Sequence, residues 1–287
     1  MAFLRSVAIW VLSNPQYILG GFAVFTLALI FTKKKWRKKR PYLPWLLALC
    51  FVAYVFVFIR FFDRIDLLRP VLSNDTAENL SETAIADDHT YCFGIDVSQY
   101  QGQINWDEVL LTKHPLRFAI ARATMGNNGH DLEFKANWAA LKRVGLQRGA
   151  YHYYRPFEAS KEQAQNFIAT VKLQPGDLPP VLDIERMSPL GPANLRKGVQ
   201  NWLRLVEKHY HCKPIVYTGR YFYERYLKGS IDGYPIWIAS YGPHHKVAHL
   251  PWQFHQFSEK MVVHGINTFV DGNFFQGSLT KLRNFGL

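Results

Sequence analysis

Apolar and polar positions divide the 287-residue chain into three patterns. The first is long and unbroken. Leu43 to Phe62 is apolar almost throughout, close to the ~20 residues that carry a helix across ~30 Å of hydrocarbon. Tyr17 to Thr32 is a shorter apolar stretch, set off by Ser13-Asn14-Pro15 from another apolar patch at Val7–Leu12. These lengths predict one or two N-terminal transmembrane helices, over about residues 43–62 and 15–32, with a re-entrant or interfacial helix as the alternative for the shorter one. The second pattern, from Asp63 to about Thr90, is polar and punctuated by Pro70, Ser73-Asn74-Asp75-Thr76 and Asp87-Asp88. It predicts a linker with at most a short helix near Asp75–Ile85.

The third pattern starts at Cys92. Short apolar runs recur at Phe93–Val97, Phe118–Ala123, Gly149–Tyr154, Pro180–Ile184, Pro214–Thr218, Pro235–Ala239, Trp252–Phe257 and Thr268–Asp271. Helix-length patterns at Phe134–Val144, Lys161–Val171 and Leu195–His209 separate several of them. Near-continuous apolar strands alternating with helices read as a parallel sheet covered on its outside, and eight of them as an α/β barrel. The last connections are too short for full helices. The expectation is therefore an irregular TIM-like (β/α) barrel over residues 91–287, joined by a linker at 63–90 to a membrane anchor at 1–62.

Composition agrees, with 48% hydrophobic and 15% aromatic residues supplying a packed core. The net charge of +12 suggests an anionic partner until its distribution is read. Arg5 and the run Lys33-Lys34-Lys35-Trp36-Arg37-Lys38-Lys39-Arg40 meet no acid in residues 1–40, so most of the excess lies at the membrane end. Nucleic-acid binding loses its main support. The positive-inside bias puts the loop 33–40 in the cytoplasm and everything after Phe62 outside it. That topology implies a cell (inner) membrane protein whose barrel faces the extracytoplasmic or periplasmic side, with the lipid bilayer as a partner of the N-terminal helices. A cleaved signal peptide fits poorly, because the apolar stretches are too long. The cysteines form no metal or redox motif: Cys50 lies in an apolar span, and Cys92 and Cys212 precede strands on opposite walls of the expected barrel. No disulfide is expected, since a bond needs Cα atoms within about 7 Å.

Chemistry concentrates at Asp183-Ile184-Glu185, which closes the apolar run Leu178-Pro179-Pro180-Val181-Leu182. In a strand these two acids share a face, with Cα atoms roughly 6.5 Å apart. Burying such charge costs several kcal/mol unless it is paired or its pKa shifts, and paired carboxylates suit acid-catalysed cleavage of a glycosidic bond. The alternative is a solvated loop that caps a helix or pairs with Arg186. The carboxyl ends of barrel strands carry the chemistry in such folds. Here the strand ends bring Asp96, Arg122, His152 with Tyr153, Asp183 with Glu185, Tyr217, Trp237, Gln256 and Asp271 to one mouth, which favours the chemical reading.

Several motifs stand together in order: Gly94-Ile95-Asp96-Val97-Ser98, Tyr100-Gln101-Gly102, Phe118-Ala119-Ile120-Ala121-Arg122-Ala123-Thr124, Gly149-Ala150-Tyr151-His152-Tyr153, Leu182-Asp183-Ile184-Glu185, Pro214-Ile215-Val216-Tyr217-Thr218, Trp237-Ile238-Ala239, Gln256-Phe257-Ser258 and Val270-Asp271-Gly272-Asn273-Phe274. From about Cys92 to Phe275 the chain resembles glycoside hydrolase family 25, the Chalaropsis-type lysozymes or N-acetylmuramidases. The resemblance implies a distorted α/β barrel that cuts the β-1,4 bond from N-acetylmuramic acid to N-acetylglucosamine in peptidoglycan glycan strands, with no metal or organic cofactor. It implies Glu185 as general acid, Asp183 as the aspartate orienting the substrate's own acetamido group, and Asp96 and Asp271 stabilising charge at the sugar. Arg122, Tyr153, Tyr217, Trp237 and Gln256 are the candidate substrate-binding residues. Arg122 stands where many members have lysine, His255 where tryptophan is common before Gln256, and Gly272 where a small aliphatic residue is usual.

Other features carry less. His244, His245 and His249 have metal-ligand spacing but sit in a Pro-containing loop without a clear carboxylate partner and read as solvated. Gly126-Asn127-Asn128-Gly129 is a turn after a strand, lacking the Lys-Ser/Thr of a phosphate loop. The rival functions are a non-catalytic glycan-binding module and a membrane scaffold on the same barrel.

Overall fold

The computed structural model describes residues 91–112 and 115–287. The expected transmembrane helices, basic loop and linker, with Cys50, lie outside the described residues. Among the described residues no helix is long and apolar enough to cross a membrane.

The strands are β1 (Tyr91–Val97), β2 (Phe118–Met125), β3 (Gly129–His130), β4 (Gln147–Tyr153), β5 (Val181–Asp183), β6 (Ile215–Gly219), β7 (Ile236–Ala239), β8 (Trp252–Met261) and β9 (Val270–Gln276). Helices α1 (Trp106–Val109), α2 (Phe134–Arg143), α3 (Ser160–Thr170), α4 (Gly191–Tyr210), α5 (Arg220–Phe222) and α6 (Leu279–Phe285) lie between or after them. The pairing order β1-β9-β8-β7-β6-β5-β4-β2 closes through a direct β1–β2 pairing, and β3 hangs on β2 as the return strand of a hairpin. The result is a closed eight-stranded mixed barrel of the α/β class. The turn expected at Gly126-Asn127-Asn128-Gly129 is that hairpin's tip, bringing Thr124 opposite His130.

Two expectations need correction. The sheet is not wholly parallel: β9 runs antiparallel to both β8 and β1. The cause is chain length. Only residues 262–269 join β8 to β9, whereas a parallel crossover takes a dozen residues or more. The last strand also runs on past the expected Asp271 to Gln276, because Phe274 packs outward against Phe257 at 4.4 Å while Phe275 packs inward against Phe254 at 5.1 Å.

Side chains alternate between two cores, as the period of a strand requires. Ala119, Ala121 and Ala123 of β2 belong to the outer core with Phe167 of α3 and Trp202 of α4, and α2 and α3 pack against β2. Phe118 and Ile120 face the interior with Leu178, Val181, Ile215, Phe254 and Phe275, and α6 packs Leu282 and Phe285 against this floor. Helix α4 follows a 3.6-residue period: Leu195, Val199, Trp202, Leu203 and Val206 form its buried stripe, Pro192 sits in its first turn, and the left-handed His211 ends it. Cys92 and Cys212 are both free thiols.

The floor is tightly filled. Phe118 meets Phe254 edge-on at 5.4 Å, and a Cβ added to Gly94 would lie 2.5 Å from the Phe118 ring. Phe118→Ala should therefore destabilise the barrel by about 3–5 kcal/mol and Gly94→Val by about 1–3 kcal/mol through overpacking, read as lower denaturant midpoints. Unchanged midpoints in both would contradict this packing.

Candidate active site

The inward phase that builds the apolar floor continues up each strand and turns polar at the mouth. Asp96, Arg122, Tyr153, Asp183, Glu185, Tyr217, Trp237, Gln256 and Asp271 all line one cavity of about 220 Å³. Asp271 arrives by an unexpected route. It is the second residue of antiparallel β9, not the end of a parallel strand, and it stands directly opposite Asp96 on β1. Reversing that strand puts its beginning at the mouth where the others end.

Hydrogen bonds tie the mouth into one network. The Trp237 indole N–H donates to Asn273 Oδ1 at 2.9 Å, and Asn273 Nδ2 donates to Asp96 Oδ2 at 2.7 Å. Gln256 Nε2 donates to the same Asp96 oxygen at 3.0 Å, and Gln256 Oε1 accepts from the Tyr217 hydroxyl at 2.8 Å. Trp237 is only 2% exposed and its N–H is committed, so it acts inside the network and offers little open surface for stacking on a sugar. Tyr153, half-buried on the rim, keeps more of its ring open.

Burial and crowding decide the charges. Burial, reinforced by Asp96, pushes Asp271 up to about 9, and Asp271 hydrogen-bonds Asp96. Two carboxyl groups in contact need one proton between them, and Asp271 is the one that holds it. Asp96 rises less, to about 6, because burial is offset by the donors Asn273 and Gln256. Asp183 is pushed well above the usual carboxylate range by burial and then by Glu185 and Asp96. Its Oδ1 is buried with no hydrogen-bond partner. Burial also raises Glu185, with a hydrogen bond to Tyr217 and then Arg186 acting against it. The pocket can therefore hold protonated and ionised carboxyl groups side by side near neutral pH.

Arg122 is the buried cation of the mouth, but its Nε is held at 2.8 Å by Asp131, which lies just after the β2–β3 hairpin. The Asp131 carboxylate also accepts from the backbone N–H of Gln99 and Glu133, and the guanidinium lies 4.8 Å beneath the exposed ring of Tyr100. Sequence reasoning missed Asp131, Tyr100 and Asn273 as parts of the site. An arginine aimed into a barrel demands a counter-ion, and Asp271-Gly272-Asn273 puts two polar side chains on one strand face; those were the available signals. His152 stands outside the cavity. It is fully buried between barrel and helices, held by Thr124 at 2.7 Å and Gln163 at 3.1 Å, and burial lowers it to about 4. His249 does have a carboxylate partner, Glu224 at 3.0 Å, contrary to expectation, because the π-helical turn Tyr223–Leu227 carries that glutamate to the loop. Among the described residues no group of three or more His, Cys, Asp or Glu is arranged to hold a metal ion.

The model of the glycosyl hydrolases family 25 matches residues 95–266. The chain belongs to glycosyl hydrolase family 25. It is a glycoside hydrolase of the lysozyme type. It is 40% identical over 196 residues to YegX of Escherichia coli (strain K12), covering 67% of this chain and 72% of that protein. It is 31% identical over 207 residues to lysozyme M1 of Streptomyces globisporus, covering 66% and 69%. Among solved structures, a family 25 glycosyl hydrolase from Bacillus anthracis superposes with a TM-score of 0.62 at 29% identity, covering 68% of this chain and 94% of that one.

The Asp96–Asp271 pair gives a stability signature. Asp271 is raised from 3.8 to about 9 in the fold, so the folded chain binds its proton more tightly than the unfolded chain, and stability falls as pH rises through that window. Asp271→Asn keeps an N–H donor toward Asp96 and removes the titration. Between pH 5 and pH 8 the variant should lose less stability than wild type, by up to about 4 kcal/mol at roughly 1.4 kcal/mol per pH unit, in denaturant midpoints at the two pH values. Parallel loss in both proteins would show that Asp271 does not carry the shared proton.

Proposed function

We propose that this chain is a membrane-anchored muramidase that cleaves the β-1,4 bond between N-acetylmuramic acid and N-acetylglucosamine in peptidoglycan, with Glu185 as general acid. The observation that carries the assignment is the position of Glu185. It lines the carboxylate cavity and also a neighbouring groove of about 750 Å³ formed by Gly219, Arg220, Tyr221, Phe222, Ala239, Ser240, Tyr241 and Lys246. A proton donor for a glycosidic oxygen belongs at the junction of two sugar sites. The acid-rich cavity suits the sugar that develops positive charge, because fixed carboxylates stabilise an oxocarbenium-like centre. The groove suits the leaving sugar, since Tyr221 and Tyr241 are largely exposed there as stacking surfaces.

Asp183 fits the role of orienting an acetamido group, because its unpartnered Oδ1 would accept that group's N–H. Asp96 and Asp271, one ionised and one protonated, complete the polar wall. The likeness to lysozyme M1 supports peptidoglycan as the substrate. Membrane anchoring rests on the apolar segments at about 15–32 and 43–62 flanking the cationic loop 33–40, and the positive-inside bias supports an extracytoplasmic barrel.

Incubating the full-length chain with peptidoglycan and identifying the new reducing ends tests the bond assigned. Muramic acid ends support it, whereas glucosamine ends or no release overturn it. Glu185→Gln should cut kcat by about 10²–10⁴-fold with the fold intact; a smaller loss would move the acid to another residue. For the anchor, the full chain should sediment with membranes and its barrel should be digested by protease added from the outside. Recovery in the soluble fraction would remove the anchor from the reading.

A further inference from the structure

Two side chains lining the cavity each keep a buried polar atom without a hydrogen-bond partner, and the two atoms are of opposite kind. Asp183 Oδ1 is an acceptor, and Arg122 Nη2 can only donate. Arg122 is 6% exposed. Asp131 draws its Nε toward the protein at 2.8 Å and also accepts from the backbone N–H groups of Gln99 and Glu133, which leaves Nη2 unmatched. A buried donor without an acceptor carries a desolvation cost, and folded proteins seldom keep one without a functional reason. Arg122 on β2 and Asp183 on β5 stand on the two strands that flank β4, where Tyr151 pairs with Arg122 and Tyr153 with Asp183. The unmatched donor and the unmatched acceptor therefore belong to one wall.

Whatever meets Nη2 must bring an acceptor. Under the proposed function the sugar in this cavity is the muramyl unit, which carries carbonyl oxygens on neighbouring carbons: one in the acetamido group at C2, one in the lactyl ether at C3. Asp183 Oδ1 takes the acetamido N–H. A guanidinium on the acetamido oxygen would tie up the lone pair with which that group attacks the anomeric carbon, so the lactyl carbonyl is the acceptor left for Arg122. We infer that Arg122 is the specificity-determining residue of the cavity, its buried Nη2 donating to the lactyl carbonyl oxygen and so selecting the muramyl unit over glucosamine on the acid-rich side of the cut bond. The inference rests on the proposed function and deepens it, naming what chooses between the two β-1,4 bonds that alternate along a glycan strand. A glucosamine unit has only a hydroxyl at C3, too short to reach Nη2, and would leave the donor buried and unpaired. The ring of Tyr100, 73% exposed, lies 4.8 Å over the guanidinium, so it is the element that yields as the lactyl arm enters.

Binding of three disaccharides to the full-length chain, measured by calorimetry, tests this without turnover. They are N-acetylglucosaminyl-N-acetylmuramic acid with its lactyl carboxylate free, the same disaccharide with a dipeptide in amide linkage on the lactyl group, and chitobiose, which has no lactyl group. Wild type should bind at least one muramyl ligand about 10–100-fold more tightly than chitobiose, as a hydrogen bond from a charged donor implies. The stronger of the two tells whether the oxygen is taken as an amide or as a carboxylate. Arg122→Lys keeps a cation for Asp131, but its nitrogen ends one bond short of Nη2, so the muramyl preference should vanish while chitobiose binding stays. Loss of a merely structural arginine would weaken all three ligands together. Equal binding of the three by wild type overturns the inference, and so does a muramyl preference that survives in Arg122→Lys; the wild-type comparison decides even should the variant fold poorly. Muramyl preference in a wild type that releases no reducing ends from peptidoglycan would sink the proposed function and leave the role of Arg122 standing. Release of muramic acid ends without that preference would do the reverse.

Discussion

The constraint on which this site depends is electrostatic: four carboxyl groups share one small, largely buried cavity, and they cannot all be ionised. At separations set by adjacent strands, like charges in a low-dielectric space repel by more than an ordinary carboxylate gains from ionising. Protons must stay behind, and the fold decides where. Asp96 keeps its charge because two amide donors converge on one of its oxygens, while Asp271, facing it across the β1–β9 ladder, takes the shared proton. Such differentiation among chemically equal groups lets one residue act as an acid while its neighbour stays anionic.

The barrel supplies this differentiation through strand alternation. The same inward phase that places Phe118, Ile120, Val181, Ile215 and Phe254 in the floor delivers Arg122, Asp183, Tyr217 and Gln256 to the mouth. One residue of register slip in any strand would exchange a site residue for a shell residue, so the apolar floor is also what aims the polar groups. The floor's close fit at Gly94 and Phe118 serves the mouth, because Asp96 lies two residues beyond Gly94 on the same face. The antiparallel β9 brings its first residues rather than its last to the rim, and so sets Asp271 opposite Asp96.

Period and length made the strands legible in the sequence, and the strand ends made most of the cavity legible with them. What the sequence hid depended on chain direction and on partners distant along the chain. Thr268–Asp271 read as a strand ending at an acid; the strand instead begins there, and only the short β8–β9 connection hinted at the reversal. Arg122 and Trp237 read as substrate contacts from their position. Their hydrogen bonds to Asp131 and Asn273 turn them toward the protein, and those partners lie 9 and 36 residues away. His152 sits at a strand end like the others, yet its odd phase sends it outward to Gln163 and Trp202.

The treatment of Arg122 bears on the same electrostatics. A guanidinium bonded directly to the carboxyl cluster would favour the ionised forms and strip the site of the proton an acid must hold. Asp131 prevents this by taking Arg122 Nε at 2.8 Å while its own remaining lone pairs are filled by backbone N–H groups of Gln99 and Glu133. The cation still acts on the cluster from a distance and moderates Asp183, without cancelling its upward displacement. Removing Asp131 would thus do more than unpair an arginine: the freed guanidinium would favour ionisation across the mouth, and the proton inventory would change with no carboxylate of the cavity altered.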